Sequence, residues 1–250
     1  MNEQDQRLRE QLQALRLRSC LEQYAALATD AAQKHWTHVD YLARLIDGET
    51  QLRHQHAVER RLVAARLPSR KLLDDFQWGW PKKINRPQVQ NLFRLAFLPD
   101  KANVIFLGGV GVGKSHLASA LAYAACLAGH SVRFTTAVDI INTLTAAQIN
   151  HRLKAEIKKL VAPTLLVIDE VGYLPIDKTG ANLLFQVISE RYERGSIVLT
   201  TNQPFNAWPK IFKDDSTLTS AVLDRLLHHA ETVVIQGKSY RMKDQIQDPQ

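Results

Sequence analysis

Leu8, Leu12 and Leu15, and later Tyr24 and Leu27, recur at three- and four-residue spacings with charged residues between them, a period that predicts one amphipathic helix opening the chain. A second helix start stands at Thr37, with Asp40 three positions on as a capping-box-like pair and Val39, Leu42 and Ile46 following on one face. That helix is expected to run to about residue 66, because Pro68 breaks the pattern. The stretch DDFQWGWPKKINRP, residues 74–87, has neither period and is rich in Pro, Trp and Lys, which suits a linker. From Pro87 onward short apolar runs alternate with helical patterns, and 103–107, 131–136, 165–168 and 196–201 read as strands. Strands alternating with helices predict an α/β fold, a parallel sheet flanked by crossover helices. The expected organisation is a small all-α domain over residues 1–75, a basic linker over 76–90 and the α/β domain over 91–245.

Composition narrows the class. With 45% hydrophobic and 23% charged residues in 250, the chain is too apolar for wholesale disorder and long enough for one sizeable core. No apolar run approaches the roughly 18–20 residues that span a bilayer. The opening MNEQDQRLRE is polar where a signal peptide is apolar, so a cytoplasmic protein with no membrane contact is expected. Cys20 and Cys126 lie far apart with no CxxC or Cys/His spacing, and read as core residues. The net charge of +7 is uneven: residues 76–160 hold 11 Lys and Arg against 3 Asp and Glu. A pI near 9.5 with its excess in one third of the chain is a footprint expected of a protein that neutralises phosphates.

The first chemical motif follows the first predicted strand. Gly108, Gly109, Val110, Gly111, Val112, Gly113, Lys114 and Ser115 satisfy the Walker A pattern GxxxxGK[ST], with His116 opening the helix behind it. Glycines let such a loop turn its backbone N–H groups inward, where they and the helix N-terminus hold polyphosphate oxygens. Lys114 is expected to reach the β- and γ-phosphates of ATP, and Ser115 to offer its hydroxyl to Mg²⁺. The second motif is the apolar run Leu165–Ile168 ending in Asp169 and Glu170, at the edge where parallel sheets place their ligands. Asp169 reads as a second Mg²⁺ contact and Glu170 as the base for a water attacking the γ-phosphate.

Other candidates are less local. Asn202 ends the strand 196–201 and is positioned to hold that water or the γ-phosphate, while Arg225, on an amphipathic stretch, is placed to reach a nucleotide on a neighbouring subunit. Arg152, Lys154, Lys158 and Lys159 fall on one helical segment before the Asp169 strand, and Lys82, Lys83 and Arg86 form a second basic group in the linker. Phosphate contacts from such groups give DNA affinity without base specificity. The pairs His54/His56 and His228/His229 invite a metal reading, but no third ligand stands near either in sequence, and both are read as non-ligands.

Together the segments NVIFLGGVGVGKSHLA, TLLVIDEVGYLPID, LLFQVISERYERGSIVLTTNQPFNAW and DRLLHHAETVVIQGKSYRMK resemble the AAA+ ATPases of the IstB/DnaC group, most closely the IstB-type helper ATPases of insertion-sequence transposition. LRLRSCLEQYAALA, YLARLIDGE and ARLPSRKLLDDF extend the resemblance through the first 75 residues. The resemblance implies an AAA+ core without a C-terminal lid domain, ATP hydrolysis with Mg²⁺, Asn202 as sensor 1, Arg225 as an arginine finger acting in trans and Arg241 as a sensor-2-like contact. It further implies an ATP-dependent homo-oligomeric ring or spiral. Such an assembly binds duplex DNA with little sequence preference, deforms it and presents it to a transposase, IstA, and the helical insertion carrying Arg152 to Lys159 lines the DNA channel. A DnaC-like replicative helicase loader is the alternative, sharing the same ATPase core. A small-molecule kinase fits poorly, since it wants an arginine-bearing lid over its acceptor rather than a catalytic glutamate and an inter-subunit arginine.

Overall fold

The computed structural model describes residues 3–245, and the chain divides into two compact units, Met1–Arg60 and Arg61–Gln250. In the first unit the opening periodicity resolves into two helices, α1 (Glu3–Ala14) and α2 (Arg18–Gln33). The break falls at Arg16, whose φ of 57° is left-handed. Neither Gly nor Pro marks it, so helical spacing alone reads straight through. Leu12, Cys20 and Tyr24 form a small core with Leu17, Leu21 and Leu45.

The third helix, α3 (His38–Ala65), begins with the expected reciprocal cap: the Asp40 N–H donates to Thr37 Oγ1 at 3.1 Å, and the Asp40 carboxylate accepts from the Thr37 N–H at 3.2 Å. Its expected apolar face does not pack. Val39, Leu42 and Ile46 are exposed, while the buried polar residue on this helix is Glu49, which accepts from the Ser19 N–H and from Arg53 Nε, each at 2.9 Å. A buried carboxylate persists only with such partners.

The unit boundary falls inside α3, ahead of the expected division at residue 75. The physical reason lies downstream: Ala65, Phe76, Val89 and Leu92 are buried in the core of the second unit. The stretch 76–90, expected as a linker, is therefore built into that unit. Lys83 pairs with Gln236 in an antiparallel bridge, and Asn85 accepts from the Gln88 N–H to cap α4 (Arg86–Leu92).

The second unit is a parallel sheet in the order β2-β3-β4-β1-β5, formed by β1 (Asn103–Gly108), β2 (Val132–Thr136), β3 (Leu165–Val171), β4 (Ser196–Thr201) and β5 (Ala230–Ile235). Four strands match the expected positions; β5 is additional. On one face Val104 and Phe106 pack with Leu117 and Leu121 of α5 (Lys114–Leu127). On the other Ile105 joins residues of α6 (Ala137–Ile149), α7 (Leu153–Val161), α8 (Lys178–Arg191), α9 (Trp208–Ile211) and α10 (Ser216–Leu227). Burial on both faces explains why the strands read as continuous apolar runs. Beyond β5 the described chain makes the Gln236 bridge to Lys83 and then a 3-10 turn, Tyr240–Gln245.

Arg191, at the end of α8, is almost fully buried and forms no ion pair among the described residues. Its guanidinium donates to the carbonyls of Leu160, Val161, Pro163, Thr164 and Ser196 at 2.7–3.1 Å, tying the end of α7 to the starts of β3 and β4. Burial pulls its pKa down to about 10. Among the described residues no helix is long and apolar enough to cross a membrane.

Candidate active site

Gly108 closes β1, and the loop 109–113 delivers the chain to the first residue of α5. Gly111 and Gly113 take φ of 73° and 101°, conformations costly for any residue with a Cβ. Space also excludes a side chain there: a Cβ on Gly111 would strike Ser239, and one on Gly113 would lie 2.6 Å from the Phe76 ring. Between them Val112 is buried and pins the loop to the core. The loop therefore sits over the N-terminus of α5, where free N–H groups and the helix dipole favour an anion.

Lys114 is buried and folds back on the loop, its Nζ donating to the Gly109 carbonyl at 2.6 Å and lying 3.3 Å from the Tyr173 hydroxyl. Burial lowers its pKa from the ordinary lysine value, with Asp169 opposing. Ser115 Oγ donates to Asp169 Oδ1 at 2.9 Å, and Thr200 Oγ1 donates to the same oxygen.

Glu170 owes its position to an irregularity in the sheet. Ile168 pairs with Leu199 but Val171 with Thr201, so β3 carries one extra residue opposite β4, a β-bulge. Glu170 sits in it with a left-handed φ of 62°, its N–H donating to Thr200 Oγ1 at 3.0 Å. Thr200 thus joins the two acidic residues, giving its proton to Asp169 and a lone pair to the Glu170 backbone. Neither Thr200 nor Tyr173 was among the candidates from sequence. The run Thr200-Thr201-Asn202 was the available signal, but the bulge that brings Thr200 under Asp169 is a matter of register, invisible in a single strand. Burial, then Glu170 and Asp169, push the Tyr173 pKa above its ordinary value.

Asn202 follows β4 at the same edge, and its side-chain Oδ1 is buried without a hydrogen-bond partner among the described residues. His116 is held by a 2.9 Å hydrogen bond between Nε2 and the Leu72 carbonyl, with its ring edge-on to Phe76. Arg241 lies beside the loop, where the Tyr240 N–H donates to the Gly111 carbonyl at 2.8 Å. A cavity of about 600 Å³ opens next to the loop, walled by Pro68, Arg70, Phe76, Trp80, Tyr240 and Arg241 among others.

Arg225 is not brought to this edge. Its Nη1 donates to the Ala221 carbonyl at 3.0 Å, its guanidinium lies 4.9 Å from the Phe185 ring centroid, and it shares a small hollow with Asn103, the first residue of β1. It therefore stands towards the opposite edge of the sheet from its own phosphate loop. The basic candidates stand on two separate elements. Arg152, Lys154, Lys158 and Lys159 are exposed around α7, with Lys159 paired to Glu156 at 2.6 Å, and Lys82, Lys83 and Arg86 are exposed beside β5, Arg86 stacking on Trp78.

Residues 10–248 match the family described as IstB-like ATP binding protein. This chain belongs to that family. It is 42% identical over 219 residues to the insertion sequence IS21 putative ATP-binding protein of Pseudomonas aeruginosa, covering 88% of this chain and 82% of the relative. To the insertion sequence IS232 putative ATP-binding protein of Bacillus thuringiensis subsp. berliner it is 37% identical over 239 residues, 96% of this chain and 95% of the relative. The IstB-like fold is shared more widely. AMPPCP-bound DnaA from Aquifex aeolicus superposes with a TM-score of 0.57 at 20% identity, over 72% of this chain and 54% of that one. The DnaC helicase loader gives 0.54 at 24%, over 66% and 96%.

Proposed function

We propose that this IstB-like chain is an ATPase that helps transposition: it binds ATP with Mg²⁺, assembles as a homo-oligomer on duplex DNA, remodels that DNA and recruits a partner transposase of the IstA type. The observation that carries the reading is the cluster behind the phosphate loop, in which Ser115, Asp169, Thr200 and Glu170 are joined by hydrogen bonds. Ser115 Oγ and Asp169 Oδ1 are hard oxygen donors 2.9 Å apart at the loop, a pair that suits Mg²⁺. They are the residues that would hold the ion, which supplies charge neutralisation on the β- and γ-phosphates.

The remaining roles belong to the chain itself. The 109–113 backbone and the α5 N-terminus bind the phosphates, and Lys114 exchanges the Gly109 carbonyl for phosphate oxygens. The neighbouring cavity receives the base and ribose, with Arg241 at its rim. Glu170 takes the proton of the attacking water, and the unpartnered Asn202 Oδ1 is an acceptor able to orient that water. Arg225 acts on the nucleotide of an adjacent subunit, a role consistent with its distance from its own loop. Lys154, Lys158 and Arg152 with Lys159 contact DNA phosphates, joined by Lys82, Lys83 and Arg86.

Transposition is favoured over helicase loading because the insertion-sequence relatives match more than four-fifths of this chain, first unit included, whereas the likeness to the DnaC loader covers 66% and reaches only the fold. The test is sizing with ATP, duplex DNA, both or neither, across a salt series. A large assembly that needs ATP and DNA together and weakens steeply with salt supports the reading. A monomer indifferent to both overturns it.

A further inference from the structure

The sequence offered no third ligand for His228 and His229; the fold supplies one. Glu193, in the turn between α8 and β4, meets His228 and His229, in the turn between α10 and β5, and one ligand atom from each of the three lies within 4.8 Å of the others. The two rings lie with centroids 4.1 Å apart, tilted by 57°. His228 Nδ1 is hydrogen-bonded to the Tyr192 hydroxyl at 2.9 Å, which holds the ring and engages one of its two nitrogens, Nε2 being the other. Among the described residues no lysine or arginine forms an ion pair with Glu193. Arg225, which shares the hollow with Glu193 and His229, turns its Nη1 to the Ala221 carbonyl.

We propose that Glu193, His228 and His229 bind one transition-metal ion of the Zn²⁺ class, at a site separate from the ATP and Mg²⁺ cluster. Two imidazoles and one carboxylate suit Zn²⁺, Co²⁺ or Ni²⁺, whereas Mg²⁺ prefers an all-oxygen shell. Three protein ligands leave a fourth position for water. The Tyr192–His228 hydrogen bond is the outer partner that commonly orients a ligating imidazole. A bound ion clasps the turn beside the buried Arg191 to the turn beside Arg225, two stretches with no covalent link nearby in sequence. Ligation needs neutral imidazoles, so affinity falls as pH is lowered and protons compete.

The test uses the untagged full-length protein, stripped with a chelator and free of nucleotide, titrated with Co²⁺ alone. The expected result is one equivalent bound, with visible d–d bands that Zn²⁺ abolishes by displacement. Glu193→Gln, His228→Ala and His229→Ala should each weaken binding by about tenfold or more, and Tyr192→Phe by a smaller factor. A His54→Ala, His56→Ala double variant should bind as the parent does. Zn²⁺ should raise the Tm of the parent and leave that of the His228→Ala, His229→Ala double variant unmoved. Absence of a stoichiometric complex overturns the proposal, as does binding that survives loss of both His228 and His229 or that disappears with His54 and His56.

Discussion

At the carboxyl ends of the strands three polar side chains and the Glu170 backbone N–H answer one another within hydrogen-bond reach, whereas towards the amino ends two arginines form no ion pair among the described residues: Arg191 is wrapped by carbonyls and Arg225 lies on its own helix and the face of Phe185. One edge is knit together by its own chain, with the Asn202 Oδ1 left over among the described residues. The other holds one arginine locked into the core and one half-exposed, although both line the same hollow. The difference separates two uses of a single residue type. Arg191 is buried and its two Nη groups organise backbone, while Arg225 keeps a guanidinium whose one hydrogen-bond partner among the described residues is a carbonyl of its own helix.

The sharpest way to break this comparison is at Arg225. If it serves a neighbour, Arg225→Ala should lower steady-state ATP hydrolysis by about a thousandfold or more while ATP binding to the monomer is retained. Mixing it with Glu170→Gln subunits should restore part of the activity, because some shared sites then hold both groups. Glu170→Gln alone should cost about a thousandfold in kcat and leave nucleotide affinity near that of the parent, as measured by phosphate release beside equilibrium binding. Normal turnover in this variant rules out Glu170 as the base.

Thr200 sharpens the carboxyl edge. Thr200→Val keeps the shape and removes the hydroxyl that joins Asp169 to the Glu170 N–H, so kcat should fall by about ten- to a hundredfold, with Thr200→Ser recovering most of it. A mere packing role would reverse that ranking, since valine fills the space and serine does not. Arg191→Met should have the smallest effect on hydrolysis per folded molecule. It instead removes the guanidinium donor from five carbonyls and should lower unfolding free energy by about 3 kcal/mol or more in a denaturant titration.

The legible parts of the molecule were those whose chemistry is local in sequence. The phosphate loop, the Asp169-Glu170 pair and four strands follow from short runs whose spacing is dictated by one turn or one pleat. What stayed hidden depends on pairing between distant segments. Thr200 gains its partners through a one-residue bulge, β5 is recognisable mainly through its pairing with β1, and Glu193 meets His228 and His229 only after the sheet has formed. The stretch 76–90 differs for another reason: Pro, Trp and Lys without a period read as a basic linker, yet Phe76 and Val89 are buried and Trp78 packs edge-on against Phe76.

Gly111 and Gly113 owe their lack of side chains partly to the chain that presses on them, Ser239 on the first and Phe76 on the second. The eight-residue motif is therefore not a portable cassette. Moved into another sheet without its two remote neighbours, it would keep its consensus letters and lose the walls that hold its curvature. A transplant that works must carry three separate stretches of chain, around residues 76, 108–115 and 239, and sequence drift at any one of them limits what the other two can become.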